Sequence, residues 1–177
     1  MGWCKRIRHC VSSPPESNEN AETLAGVVRT GQKLTDPSEG LLRRVRRTPR
    51  AQYNPIADQT TGRFRAPAAA FEPRFPDLAN PDKIVDEALS VNVESFLRTA
   101  GLPLTWGAEL RKHYVARVTV ADCTRQDLEA RHDPILPENP HHGLIWGLVE
   151  MHQIDEDRYE RAIDALARAS TIVPYNA

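Results

Sequence analysis

The stretch RHDPILPENPHHGLIWGLVE, residues 131–150, combines proline-containing turns, adjacent histidines and an uninterrupted apolar run. Asp-Pro and Asn-Pro pairs favour turns, because Asp and Asn bond to nearby backbone and proline fixes φ. An apolar run this short is typical of a buried strand. The stretch therefore predicts a strand end, a tight connection and a central strand over residues 144–149, with His141 and His142 at the junction.

Length and composition predict one folded domain behind a tail. The chain has 177 residues, of which 40% are hydrophobic and 27% charged, enough for a single core. Its 14 prolines indicate a fold rich in loops. Residues 11–40 are rich in Ser, Pro, Glu, Asn and Gly without an apolar period, so a disordered tail is predicted over residues 1–40. A single α+β domain is predicted over residues 41–177.

Hydrophobic spacing within the domain predicts both strands and helices. Strands are expected over residues 41–45 and 114–120. Helices are expected over residues 90–100, ending at Gly101, over residues 124–130, and over the last apolar face, which follows an acidic first turn at residues 155–157. Because these elements do not alternate strictly, the predicted class is α+β, with a small mixed or antiparallel sheet, two or three packing helices and a loop-rich first half.

The charged residues and the cysteines bear on the expected cellular location of the protein. The net charge is −1, but residues 41–50 contain five arginines and no acid, whereas residues 150–164 are mainly acidic. The cysteines are Cys4, Cys10 and Cys123, an odd number without metal-site spacing. This argues against a disulfide framework and favours a reducing, cytoplasmic location. No apolar run is as long as a membrane span, so no membrane association is expected.

Three segments resemble an uncharacterised family of small bacterial proteins. The first is Leu-x-Arg-Arg-(Val/Ile), at residues 42–45 or shifted by one, and the second is Gly-Arg-x-Arg-x-x-x-Ala-Phe, at residues 62–71 with one extra residue. The third is Asp-Pro followed by Asn-Pro-x-His-(Ala/Gly)-x-Ile, carried by Asp133, Pro134, Asn139, Pro140, His142, Gly143 and Ile145. The resemblance covers residues 41–173. It implies a bacterial origin among mobile or defence genes, but it does not indicate an activity.

This chain departs from the family pattern at two positions. Gly143 stands where the pattern usually has Ala, and Ala68 stands where it more often has Ser.

His142 and Asp133 are the candidate catalytic residues. Adjacent side chains on an extended segment point to opposite sides, so only one of the paired histidines faces the interior, and His142 directly precedes the apolar run. Its imidazole suits general acid or base chemistry, with the carboxylate of Asp133 orienting the ring. Alternatively, a ring nitrogen donates to a carbonyl of residues 133–140 and fixes that turn. No nucleophile lies at a telling spacing, which favours the structural alternative.

Arginines form the second candidate site. Guanidinium groups bind phosphate and carboxylate through paired hydrogen bonds, so a run of them is typical of nucleotide or nucleic-acid contacts. The candidate ligand-binding residues are Arg43, Arg44, Arg46, Arg63, Arg65 and His141. The alternative is a solvated edge strand whose arginines pair with the acidic last helix.

These observations predict a binding or accessory module of a bacterial multi-component system, of the defence or mobile-element type, that contacts a phosphate-bearing ligand or nucleic acid through arginines. A protein partner is expected, with a nucleotide or nucleic acid as a further candidate partner. The alternative is a small enzyme, either a His142-dependent nuclease or hydrolase or an NAD-using toxin. The latter rests on an Arg followed later by Gly-Arg-Phe, which resembles the start of ADP-ribosyltransferase-like toxin domains. Adjacent histidines are not the helical pair of zinc proteases, and neither a metal nor a cofactor is predicted.

Overall fold

The centre of the protein is an antiparallel sheet of seven strands. The computed structural model describes residues 22–24, 27–59, 61–75 and 86–175. In chain order the strands are β1 (Glu22–Leu24), β2 (Val27–Arg29), β3 (Gln32–Lys33), β4 (Gly40–Arg46), β5 (Ile56–Ala57), β6 (Phe64–Arg65), β7 (Leu89–Val93), β8 (His113–Thr119), β9 (Glu129–His132), β10 (His142–Trp146) and β11 (Thr171–Ile172). The α-helices are α1 (Glu94–Thr99), α2 (Val120–Thr124), α3 (Leu148–Ile154) and α4 (Glu156–Ala169), and 3-10 helices cover Ala51–Tyr53 and Ala68–Phe71.

The strands of the main sheet lie in the order β11-β8-β4-β7-β10-β9-β3, and every neighbouring pair is antiparallel. Two separate hairpins are formed by β1 with β2 and by β5 with β6. The mixture of an antiparallel sheet with packing helices confirms the predicted α+β class. None of the helices formed by the described residues combines the length and apolarity needed to cross a membrane.

The two faces of the sheet pack against different layers. On one face, Leu41, Ile145 and their neighbours pack against α3 and α4 through residues such as Ile163 and Leu166, and this is the larger core. On the other face, Leu42 and Val115 join a smaller cluster with α1 and the connection that follows it, and the members of this cluster are Leu42, Leu97, Leu104, Val115 and Val173. Because successive side chains of a strand point to opposite faces, β4 and β8 supply both cores.

Helix α4 is explained by its own sequence. Asp155 caps the helix by accepting the N–H of Arg158 at 2.9 Å, and acidic residues occupy its first turn, where they complement the positive end of the helix dipole. The buried residues recur at helical spacing, and they are Tyr159, Ala162, Ile163, Leu166 and Ala167. The prediction of this helix is confirmed.

Three other predicted elements differ from the observed ones. The helix predicted over residues 90–100 begins only at Glu94, because Leu89–Val93 pairs with β10 as a strand. The strand predicted over residues 144–149 starts earlier and ends at Trp146, since Gly147 adopts a φ of +106° and starts α3. The helix predicted over residues 124–130 is replaced by α2 and by β9. In the first and third cases strand pairing outweighs the local apolar spacing.

The N-terminal segment and the arginine-rich strand also differ from expectation. Residues 1–21 of the predicted tail lie outside the described residues, whereas Gln32–Lys33 pairs with β9 and adds an edge strand before the predicted domain start at residue 41. The arginine-rich strand β4 is not a solvated edge strand. It lies between β8 and β7, and its register with β8 runs over seven residue pairs, from Gly40↔Thr119 to Arg46↔His113.

Candidate functional site

The sheet divides between β4 and β7. These strands pair only at Leu41↔Val93 and Leu42↔Asn92, although β4 continues to pair with β8 as far as Arg46. Beyond Leu42 the guanidinium of Arg43 bridges the two strands, donating to the main-chain oxygen of Ser90 at 2.8 Å and to that of Ala70 at 3.4 Å. A cavity of about 100 Å³ opens where the strands separate.

His142 lies beside this cavity, at the start of β10. Of the two adjacent histidines it is the buried one, with 7% of its surface exposed. Its Nε2 lies 2.8 Å from the hydroxyl oxygen of Ser90 on β7, and its Nδ1 lies 2.7 Å from the main-chain oxygen of Asp133. Because a carbonyl oxygen only accepts hydrogen bonds, the proton belongs on Nδ1, and Nε2 is then the acceptor for the Ser90 hydroxyl.

The expected role of Asp133 is corrected by this geometry. The atom of Asp133 that contacts the ring is its main-chain oxygen and not its carboxylate. The turn also bonds through its backbone, since the N–H of Asp133 donates to the main-chain oxygen of His142 at 3.0 Å. The connection thus holds the imidazole in one tautomer and one orientation, as the structural alternative predicted.

Two amide side chains on the rim of the cavity are fixed by one another. The N–H of His141 donates to Oδ1 of Asn139 at 3.2 Å, so the Nδ2 of Asn139 is turned towards Oδ1 of Asn92, at 2.9 Å. The Nδ2 of Asn92 has no acceptor among the described residues, and it remains a donor at the cavity. His141 packs its ring edge-to-face with Trp106, with centroids 5.6 Å apart.

The predicted arginines separate into three groups. Arg43 is held by the main-chain oxygens at the division of the sheet, and burial lowers the pKa of its guanidinium. Arg44 lines the cavity and donates one hydrogen bond to the main-chain oxygen of Gly107, at 2.6 Å.

The alternative prediction, that the arginines of residues 43–50 pair with the acidic last helix, is wrong. Within the described part of the chain no ion pair joins these arginines to α4.

The remaining predicted arginines lie away from the cavity. Arg46 is exposed at the end of β4. Arg63 and Arg65 belong to the hairpin of β5 and β6, where Arg63 is exposed and Arg65 is half-buried. Arg44 therefore lines the cavity, His142 contacts its wall through Ser90, and His141 contacts it through Trp106. Arg63 lines a different cleft, and Arg65 belongs to the same hairpin as Arg63.

A larger cleft of about 650 Å³ lies between the β5–β6 hairpin and the edge strand β11. The hairpin is attached to this edge by Ser170, whose buried hydroxyl accepts the N–H of Ala66 at 2.8 Å and donates to the main-chain oxygen of Ala167 at 2.8 Å. The side of Phe64 is open, with 56% of its surface exposed. The cleft is lined by Arg47, Pro55, Arg63, Phe64, Ile172 and Pro174.

Gly143 leaves no room for a side chain. A Cβ added there would lie 2.8 Å from the main-chain oxygen of Arg131 and 2.9 Å from Cγ2 of Val93. Both contacts are closer than side chains tolerate, and β10 is paired on both sides, so it cannot shift easily. This chain needs glycine directly after His142.

The other histidines and the described cysteine are engaged elsewhere. His132 stacks on Phe96 with centroids 4.0 Å apart, and its Nε2 lies 2.9 Å from the main-chain oxygen of Pro140. The Nδ1 of His113 accepts the N–H of Glu109 at 3.2 Å. Burial raises the pKa of the Cys123 thiol to about 12. In the ranges that the structure describes, no three His, Cys, Asp or Glu side chains are grouped closely enough to hold a metal ion.

Sequence reasoning did not identify Ser90 and Asn92 as site residues. Ser90 was placed at the start of the helix predicted over residues 90–100. The signal for its position is the register of β7 with β10, which sets Asn92 opposite His142 and Ser90 opposite Leu144. Strand partners that lie about fifty residues apart in the chain are not visible in local periodicity.

Comparisons of the chain with models of known protein families, with curated proteins and with solved structures gave no match. The resemblance to an uncharacterised bacterial family therefore stays a prediction.

Proposed function

We propose that the protein is a binding module that holds a phosphate-bearing ligand, a nucleotide or a single-stranded nucleic acid, in the cleft between β11 and the β5–β6 hairpin. The observation that carries the proposal is the combination in one 650 Å³ cleft of two exposed guanidinium groups, from Arg47 and Arg63, with the open ring of Phe64. Phosphate needs charged donors, and a base needs a flat apolar surface.

The guanidinium groups in this cleft retain donors for a ligand. Arg63 has no side-chain partner among the residues that the structure describes. Arg47 donates through Nε to the main-chain oxygen of His113 at 3.1 Å, and its Cζ lies 5.9 Å from the ring centre of Tyr114. These contacts fix the stem of Arg47 and leave its terminal nitrogens as donors, so little side-chain entropy is lost on binding.

The shape and polarity of the cleft support a ligand with a planar base. Sites for small ligands have volumes of about 300–1,000 Å³ and are mostly apolar with a few placed polar groups. Pro55, Ile172 and Pro174 provide apolar walls beside the ring of Phe64. Stacking of a base on an aromatic side chain contributes about 1–3 kcal/mol, comparable to a charged hydrogen bond.

Fluorescence anisotropy with a labelled single-stranded oligonucleotide and competition by mononucleotides test the proposal. Arg63→Gln should weaken binding by about 10-fold or more, since one charge-assisted contact is worth about 1.5–3 kcal/mol. It should also reduce the dependence of log affinity on log salt by about 0.7, the value for one single-strand phosphate contact. Phe64→Ala should weaken binding at every salt concentration, because stacking is not ionic.

Arg111→Gln is the matched control, because Arg111 is exposed outside the cleft and the charge change is the same. Competition by mononucleotides at similar affinity would identify the ligand as a free nucleotide. Binding of the oligonucleotide without competition by mononucleotides would identify it as a nucleic acid. Equal weakening by Arg63→Gln and Arg111→Gln would contradict the cleft as the site, and so would an absence of binding to both probes.

We also propose that this module acts in the cytoplasm as an accessory protein within a bacterial multi-component system. Support comes from the family resemblance and from a cysteine pattern without a disulfide framework. Affinity purification from a bacterium that encodes the protein tests this role, with the Arg63→Gln variant as a comparison that keeps the fold.

A further inference from the structure

We propose that Ser90 and His142 form the nucleophile and general base of a second site, which hydrolyses carboxylic esters with a short acyl group. The site is the cavity at the division between β4 and β7, and it shares no lining residue with the cleft among the described residues. Hydrolysis in this cavity is therefore independent of ligand binding in the cleft.

The hydrogen bonds of His142 suit a general base. The main-chain oxygen of Asp133 holds the proton on Nδ1, so that the lone pair of Nε2 is directed at the Ser90 hydroxyl, 2.8 Å away. The base is buried behind its nucleophile, with 7% of its surface exposed, whereas Ser90 is exposed. A substrate can reach the hydroxyl, and the ring is kept from competing water.

A neutral carbonyl holds the imidazole in place of the carboxylate of a Ser-His-Asp triad. It fixes the tautomer and the orientation of the ring, but it stabilises a protonated imidazole less than a negative charge does. The expected enzyme is therefore slower than one with a full triad. Asp133 is a positioning residue here, acting only through His142.

The rim of the cavity supplies donors for a developing oxyanion. Asn92 lies on the same face of β7 as Ser90, and its amide is oriented by Asn139 with Nδ2 left as a donor. Arg44 also lines the cavity and uses only one of its nitrogens on Gly107. Both are preorganised before substrate binds, as transition-state stabilisation requires.

The reaction follows from these positions. As the Ser90 oxygen bonds to the acyl carbon, its proton passes to Nε2 of His142, and the carbonyl electron pair becomes an oxyanion held by Asn92 and Arg44. Collapse of this intermediate breaks the bond to the alcohol oxygen, which takes the proton from Nε2 and leaves. Water then attacks the acyl carbon while Nε2 accepts a proton from it. Collapse of the second intermediate breaks the bond to the Ser90 oxygen, which takes the proton from Nε2, and the carboxylic acid is released.

The size of the cavity limits the acyl group. Its volume of about 100 Å³ is below the about 300–1,000 Å³ that is usual for sites of small ligands. An acetyl group can be enclosed in this space, whereas most of an octanoyl chain would lie outside it.

Labelling of the full chain with an alkyl fluorophosphonate, followed by peptide mapping, tests the nucleophile without any substitution. Ser95 is the internal control, because it is also exposed, lies five residues away and has no histidine partner. Ser90 should be labelled at least about 100-fold faster than Ser95, the lower end of the usual effect of a general base. Equal labelling of the two serines would overturn the proposal.

Hydrolysis of 4-nitrophenyl acetate and 4-nitrophenyl octanoate then tests the reaction. Ser90→Ala should abolish the burst of nitrophenolate, and Asn92→Ala should slow acylation by about 100-fold, as loss of one oxyanion donor does. Arg111→Gln should leave the rate unchanged, because Arg111 is exposed and lines neither the cavity nor the cleft. Octanoate turnover as fast as acetate turnover would overturn the short-acyl assignment, and a burst that persists in Ser90→Ala would overturn the nucleophile.

Discussion

The carboxylate of Glu94 occupies the space directly above Gly40, where an added Cβ would lie 1.9 Å from Oε2. Glu94 is the first residue of α1 and is buried, and its carboxylate accepts hydrogen bonds from Arg117 at 2.6 Å and from Arg98 at 2.6 and 2.8 Å. The absence of a side chain at the start of β4 thus allows this ion pair to fasten α1 to the sheet.

Gly40→Ala should destabilise the protein by about 1–3 kcal/mol, the usual cost of overpacking a filled site. The free energy of unfolding in urea measures this. In a Glu94→Ala background the same substitution should cost less, because the clashing carboxylate is gone. An equal cost in both backgrounds would mean that the carboxylate is not what the new methyl group meets.

Glu94 should make the stability of the protein sensitive to acid. Burial raises the pKa of its carboxyl, but the hydrogen bonds from Arg117 and Arg98 outweigh this and hold the pKa below its ordinary value of 4.5. A group with a depressed pKa in the folded state stabilises fully above its unfolded pKa, and this contribution is lost as pH falls through the folded pKa.

Glu94→Gln should therefore be less stable than the natural protein at pH 7, by about 1.5–3 kcal/mol. The difference should shrink below about pH 4.5 as the carboxylate of the natural protein becomes protonated. Urea unfolding at a series of pH values measures it. A difference that stays constant from pH 7 to pH 3 would contradict the assignment.

Gly143→Ala should destabilise this protein by about 1–3 kcal/mol. The added methyl group meets the main-chain oxygen of Arg131, which is fixed by the pairing of β9 with β10. Thermal unfolding measures the loss. Val93→Ala should relieve only part of it, because the backbone contact remains, and complete rescue would show that the side chain of Val93 is the whole obstacle.

Ser170→Ala should cost about 1–3 kcal/mol, because it leaves the N–H of Ala66 buried without an acceptor. Calorimetry compares it with Ser95→Ala, an exposed hydroxyl whose loss should change stability by less than about 0.5 kcal/mol. Equal effects would mean that water replaces the lost hydroxyl.

The spacing of apolar residues predicted correctly those elements whose buried face is determined by residues close together in the sequence. In α4 the cap at Asp155 and the apolar face that includes Tyr159 and Leu166 agree with each other, so the helix was predicted with its start. Gly101, with a φ of +67°, ends the turn after α1 as expected. The start of α1 was missed, because residues 89–93 gain more from pairing between β4 and β10 than from extending a helix by one turn.

The candidate site could be found only in part. The junction before the apolar run was located correctly, and His142 lies there, buried, with a backbone carbonyl on Nδ1. Its partner Ser90 was not found, because the hydrogen bond joins residues 52 positions apart. The arginine run was visible in the sequence. The sequence did not show that Arg43 would bond to main-chain oxygens, that Arg44 would line the cavity and that Arg47 would line the cleft.

By itself the sequence determined the α+β class, the last helix and the buried strand beside His142, because each depends on spacing between near neighbours. The tertiary structure alone decided that β4 and β7 divide beyond Leu42 and that the β5–β6 hairpin lies against β11. Both arrangements depend on hydrogen bonds between distant residues, such as Arg43 with Ser90 and Ala66 with Ser170. Such bonds leave no periodic trace in the chain, since the separation of the partners in sequence is arbitrary while their separation in space is not.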